Sequence, residues 1–225
     1  MLNIPRSPRC LLFVLGAVGL LSSPPAARTA ERHYLIIFGA QSHPKLPRLT
    51  HTFATIVKVT DGPPDCPNPS IEAYTISWLP QTLKVRPYRL HDEPGRNLTL
   101  PETLRWAYGH HMHVSEWGPY AIEPDFFQRV YGEYARIESG AFRYKAIDPS
   151  QRGARTTDCI HALTDVDGAD GRSTFSEFRS GDAATRKFVR VMRDRGRLLD
   201  PLADMSWLET ALGLDCYPIL HRPNP

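Results

Sequence analysis

The stretch "HTFATIVKV", residues 51–59, decides how the rest of the chain is read. His51, Phe53, Thr55, Val57 and Val59 fall on one side of it, the period of two that marks a strand. Its β-branched content also favours extended backbone. Upstream, "HYLIIFG" (33–39) is a short apolar run closed by glycine and reads as a buried strand. Downstream, the proline-rich turn "DGPPDCPNPS" (61–70) leads into "IEAYTISWL" (71–79), a third strand by the same criteria. Residues 51–79 are therefore expected to form a hairpin with a long connection.

Beyond a polar, irregular segment at 80–98, the period changes. "TLPETLRWAYGHH" opens with Thr99 and Glu102 at capping-box spacing and Pro101 in the first turn, which predicts a helix over about 100–109. "MHVSEWGPYAI" (112–122) reads as a strand or extended segment. In "EPDFFQRVYGEYARIESG" (123–140), Phe126, Val130, Tyr134 and Ile137 make one apolar stripe, predicting a helix over 124–138. A strand at 142–147 and helices near 182–195 and 205–213 complete the pattern. The expected class is α+β, a small antiparallel sheet with several helices on one side. No internal repeat or low-complexity tract interrupts it.

The amino-terminal thirty residues stand apart from this domain. Arg6 and Arg9 precede an apolar run from Cys10 to Leu21, and small residues and prolines follow to Ala30, the pattern of a secretory signal. The run falls short of the ~20 residues that span a bilayer. The expectation is a signal peptide at 1–30, a single globular domain at 31–225, and a secreted or periplasmic protein, membrane-anchored if the signal is retained. The chain has 27 Lys and Arg against 24 Asp and Glu, a net charge of +3. These charges are dispersed, without the basic stripe of a nucleic-acid binder. "RKFVRVMRDRGR" (186–197) is read as the solvated side of an amphipathic helix. Cys66, Cys159 and Cys216 remain after signal removal, an odd number in a compartment that permits disulfides. Cys66 and Cys216 lie in irregular segments suited to a disulfide staple, with Cys159 left over; this is one of three pairings.

Cys159 is the first chemical candidate. "TTDC" (156–159) ahead of "IHAL" is written like a helix amino terminus. A thiol in the first turn meets free backbone amides, which favour thiolate and can support an oxyanion. The bland reading is that free cysteine is a small, often buried apolar residue. A thiol nucleophile needs an imidazole within hydrogen-bond reach. His161 is two residues away and points elsewhere on a helix. His51, on the core side of its strand, is better placed, although a core histidine is also an ordinary structural residue.

The order of these motifs resembles a circularly permuted branch of the papain-like, NlpC-type thiol hydrolases, which includes the lecithin:retinol acyltransferase-like and YiiX-like proteins. "THTFATIVKV" (50–59) is similar to that branch's early histidine strand, and "TDCIHAL" (157–163) to its later cysteine helix. The resemblance implies Cys159 as nucleophile and His51 as base, with no cofactor. It implies substrates carrying an amide, ester or thioester: a peptide, a lipid or peptidoglycan-type material of the cell envelope. Asp158 stands where many relatives have asparagine. The residue that should orient the imidazole is not obvious, and hairpin pairing makes Ser77 the nearest candidate.

Other clusters compete. His111, His113 and Glu116 could hold zinc, although the spacing matches no specific signature; with His110 they are otherwise a polar helix end. A metal-dependent hydrolase using 110–116 and a non-catalytic secreted binding module are the alternatives to the thiol hydrolase. "DVDGADGRSTFSE" (165–177) misses the calcium-loop spacing by one place and reads as a surface turn. "NLT" (97–99) has the form of a glycosylation acceptor.

Overall fold

A computed structural model of the chain describes residues 30–62, 68–147, 155–167, 180–201 and 203–225. Residues 1–29, which hold most of the expected signal peptide, lie outside the described residues, as do Cys66 and most of the acidic 165–177 loop. The class is α+β, as expected.

The central sheet is built on β1 (Glu31–Ser42), flanked by β2 (Thr50–Thr60) and β6 (Met112–Ala121). With β3 (Ser70–Ile76) and β9 (Leu220–His221) the order is β3-β2-β1-β6-β9. Its pairings are antiparallel except β6 with β9, which is parallel. A second sheet, β4-β5-β7-β8, consists of β4 (Trp78–Pro80), β5 (Glu93–Asn97), β7 (Arg143–Tyr144) and β8 (Thr156–Thr157). The predicted third strand thus divides at Ser77, and its second half joins another sheet.

The helices follow their sequence signals closely. α1 (Leu100–Gly109) carries the anticipated capping box, the Glu102 carboxylate accepting the Thr99 amide at 2.9 Å. α2 is Pro124–Glu138, α3 is the single turn His161–Thr164, α4 is Asp182–Asp194 and α5 is Ser206–Ala211. In α4, Phe188, Val189 and Met192 are buried, so the basic segment is the outer side of an amphipathic helix as read.

One expectation requires correction: the helices do not all lie on one side. β1 is buried without a break from His33 to Ala40, so alternate residues enter different cores. Leu35 and Ile37 join Ala54, Ile56 and residues of α2, α3 and α4. Ile36, Phe38 and Ala40 join Phe53, Val114 and residues of α1. A strand apolar at every position needs cover on both sides, and α1 with the carboxyl-terminal elements supplies the second layer.

Close approach between the sheet and α4 depends on Gly39. A Cβ there would lie 2.9 Å from both the Asp182 amide and Thr185 Oγ1. Thr185 Oγ1 instead reaches the Phe38 carbonyl at 3.2 Å and Thr52 Oγ1 at 3.2 Å, pinning the amino terminus of α4 across β1 and β2.

Candidate functional site

β3 stops pairing with β2 at Ala54, opposite Ile76, so the first residues of β2 extend past it. The segment carrying Cys159 approaches β2 at this uncovered end. The backbone amides of Thr52, Cys159 and Ile160 lie near the thiol of Cys159 and favour its charged form. Thr52 is the residue after His51, so the sulfur lies directly beside the histidine strand.

Asp158 fixes the turn that delivers the thiol. Its Oδ1 accepts the amides of Ile160 and His161, both at 2.9 Å, and its Oδ2 lies 3.0 Å from His161 Nδ1. That is a side-chain cap, so Cys159 precedes the α-helical turn rather than standing inside it. His161 contacts Asp158 through Nδ1.

His51 is fully buried on the α1 side of β2. Its ring stacks on Phe53 at 5.5 Å and meets the edge of Trp106 at 5.6 Å. His51 Nε2 is 2.9 Å from Ser77 Oγ, so the contact anticipated from the hairpin forms. Ser77 is held in turn by Asn97. Asn97 Oδ1 accepts the Ser77 amide at 2.7 Å, and its Nδ2 donates to the Thr75 carbonyl at 2.8 Å and to Glu138 at 2.7 Å. Asn97, met in the sequence only as a glycosylation pattern, is therefore an internal clamp on Ser77.

The other imidazole nitrogen, His51 Nδ1, has no hydrogen-bond partner among the described residues. His51 and Cys159 make no hydrogen bond with each other: the ring packs on the α1 side with Phe53 and Trp106, and the cavity beside Cys159 is lined by Thr50 and Ser180. Burial pushes the His51 pKa down to about 3. Burial, and then Asp158, push the Cys159 thiol up to about 12, against the lowering effect of the three amides. At neutral pH the site holds a neutral thiol and a neutral imidazole, not a preformed ion pair.

A cavity of about 130 Å³ opens beside Cys159, lined by Thr50, Val85, Tyr88, Tyr144 and Ser180 among others. Tyr88 is 83% exposed, so the cavity mouth presents an aromatic ring to solvent. Thr50 and Ser180 hydrogen-bond to each other through their hydroxyls at its rim.

The histidine-rich segment does not form the cluster read from its spacing. His113 and Glu116 are three apart on β6 and point to opposite faces. His113 lies 3.3 Å from Asp182 at the start of α4, beside Ser115 Oγ, which donates to the same oxygen at 3.0 Å. His111 takes a left-handed backbone, φ 54°, at the turn before β6. Glu116 instead faces the carboxyl-terminal segment.

Cys159 and Cys216 are both free thiols. The proposed partner of Cys216, Cys66, falls outside the described residues, as does the calcium-type loop from Gly168 onward. No helix among the described residues is long and apolar enough to cross a membrane. No protein-family model, curated protein sequence or solved structure matches the chain.

Proposed function

We propose that the chain is an exported thiol hydrolase or acyltransferase of permuted papain-like type, acting on amide, ester or thioester bonds of envelope material. One observation carries the reading. The Cys159 thiol lies near the backbone amide of Thr52, the residue after His51, while His51 contacts Ser77 through one nitrogen and has no partner for the other among the described residues. A base needs that division of roles: one nitrogen fixed, the second available to take the thiol proton.

Because both groups rest neutral, the proton moves during attack and not before it. On substrate binding, Nδ1 of His51 takes the Cys159 proton as the sulfur bonds to the carbonyl carbon. The amides at Thr52, Cys159 and Ile160 favour negative charge at this point, first on sulfur and then on a carbonyl oxygen placed near it. Collapse of the tetrahedral intermediate breaks the bond to the amine, alcohol or thiol, which leaves with the proton from His51. Water, or an acceptor nucleophile, then cleaves the acyl-enzyme with the same histidine as base. Val85 and Tyr88, which line the cavity, suit a substrate with an apolar portion.

Cys159→Ser is expected to lower hydrolysis of an activated thioester by at least about a hundredfold, and His51→Gln by a similar factor. Full activity in Cys159→Ser would overturn the assignment.

A second reading, a non-catalytic secreted binding module, is favoured by one fact. Cys159 is only 8% exposed and its thiol is pushed up to about 12. Alkylation of the native protein separates the two. A substrate-like acyl electrophile that labels Cys159 faster than small iodoacetamide, and loses that advantage in His51→Gln, supports the enzyme. Equal, slow labelling of both variants supports the module.

A further inference from the structure

At the edge of the central sheet away from β3, β9 returns the carboxyl-terminal segment to pair with β6. In the parallel register Glu116 is paired with His221, and the Arg222 amide donates to the Glu116 carbonyl at 2.9 Å. Register partners on adjacent strands project to the same side. Glu209, on α5, lies over the same spot. One ligand atom from each of Glu116, Glu209 and His221 lies within 4.8 Å of the others.

A second, independent observation points to a ligand. Glu116 is 1% exposed, and both of its carboxylate oxygens lack a hydrogen-bond partner among the described residues. Burying a carboxylate with neither donor nor counter-charge costs several kcal/mol, so such a group protonates or takes a cation. Burial and Glu209 push its pKa up to about 8 when no cation is present. The groups that share the spot with it, a second carboxylate and an imidazole, are of the types that ligate metals.

We infer that Glu116, Glu209 and His221 form a binding site for a divalent transition-metal ion of the zinc class. The donor set selects within the divalent ions. Calcium takes six to eight oxygens and has little use for imidazole. Two carboxylates with one imidazole suit zinc, and zinc outranks manganese at such sites. Zinc–ligand bonds of ~2.0–2.1 Å place tetrahedral ligands ~3.4 Å apart. The present cluster reaches that by a small approach of Glu209 and His221, neither of which is fully buried. Three protein ligands leave a fourth position for water, and the exposure of His221 puts it on the solvent side. Two of the three ligands come from the carboxyl-terminal segment, so a bound ion would clip α5 and β9 to the sheet.

The test is titration of the full chain, stripped with EDTA and dialysed, with zinc chloride by calorimetry. Expected is one ion per chain, with affinity reduced at least tenfold in His221→Ala and in Glu116→Gln. Cobalt in place of zinc should give visible d–d bands of a low-coordinate site, lost in both variants. His221 is exposed, so its replacement keeps the fold and the result readable even if Glu116→Gln perturbs packing. Absence of stoichiometric binding overturns the inference, leaving Glu116 as a protonated buried acid. Binding that is unchanged in His221→Ala overturns it too, by locating the ion elsewhere. Cys159→Ser should bind zinc like the parent chain, so this result and the thiol-hydrolase test succeed or fail separately.

Discussion

Asp158 and Glu116 are buried to a similar degree, 3% and 1% exposed, and their surroundings could hardly differ more. Asp158 sits in a bend whose amides converge on it, and three N–H or imidazole contacts surround its two oxygens. Glu116 projects from the middle of a strand, where neighbouring amides are engaged across the sheet and cannot turn toward a side chain. The contrast shows that burial alone does not assign a carboxylate its role. Where the backbone bends, an acid can be satisfied locally and serve architecture. Where the backbone is extended, it must find a partner from another element, and that partner can be an ion.

Asp158→Ala should give the largest effect. It strips the cap from Ile160 and His161 and removes the His161 contact, so the unfolding free energy should drop by about 3–5 kcal/mol in urea titration. Asp158→Asn keeps an acceptor oxygen for the amides and should lose less than half of that. Equal losses in the two variants would show that the cap is unimportant and blur the contrast.

His51 extends the comparison to a base. Its folded pKa of about 3 lies below the unfolded value of 6.5, because burial favours the neutral ring. As pH falls below 6.5 the unfolded chain takes up the proton first. Stability conferred by the neutral ring is therefore complete above 6.5 and is lost progressively down to about 3. The slope should be about 1.4 kcal/mol per pH unit, or about 2 kcal/mol between pH 6.5 and 5, for this group alone. His51→Gln should flatten it; an unchanged slope would mean that the ring is hydrated in solution.

Glu116→Gln, measured in chelator, should be nearly silent near pH 4.5, where the parent side chain is neutral in the folded chain. As pH rises from 4.5 toward 8 the unfolded parent ionises first, and the variant should become the more stable by about 1.4 kcal/mol per pH unit, levelling off above the folded pKa of about 8. A variant that is less stable at pH 9 would indicate donors that the folded chain does not display. Smallest of all, Tyr88→Ser at the cavity mouth should change stability by less than about 0.5 kcal/mol, while raising KM for an apolar acyl substrate if the thiol site is catalytic.

Much of the fold was legible because its signals are local. The capping box at Thr99 and Glu102, the apolar stripe of α2 and the alternation in β2 each fall within about a dozen residues. The hairpin between β2 and β3 follows from adjacency, and with it the contact of Ser77 with His51. Other features depend on long-range placement and carry no periodic signature. β9 contributes two residues to the sheet and comes from the far end of the chain, so nothing near Glu116 announces His221 or Glu209. Asn97 escaped for another reason. Its clamp on Ser77 arises from the split between β3 and β4, and a polar segment of 80–98 gives no hint that its last residues form a strand. The second helical layer was implicit in the unbroken apolar run of β1, which a one-sided sheet could not have accommodated.

The sulfur near the Thr52 amide has a consequence for any experiment that deletes it. The thiol lies near an N–H at the end of β2, beyond the last residue that pairs with β3. Alanine at 159 would take the sulfur away from that N–H, so loss of activity and loss of local anchorage would arrive together. Serine keeps an acceptor at the site, though a shorter and harder one. In this chain the atom proposed to react also borders the sheet.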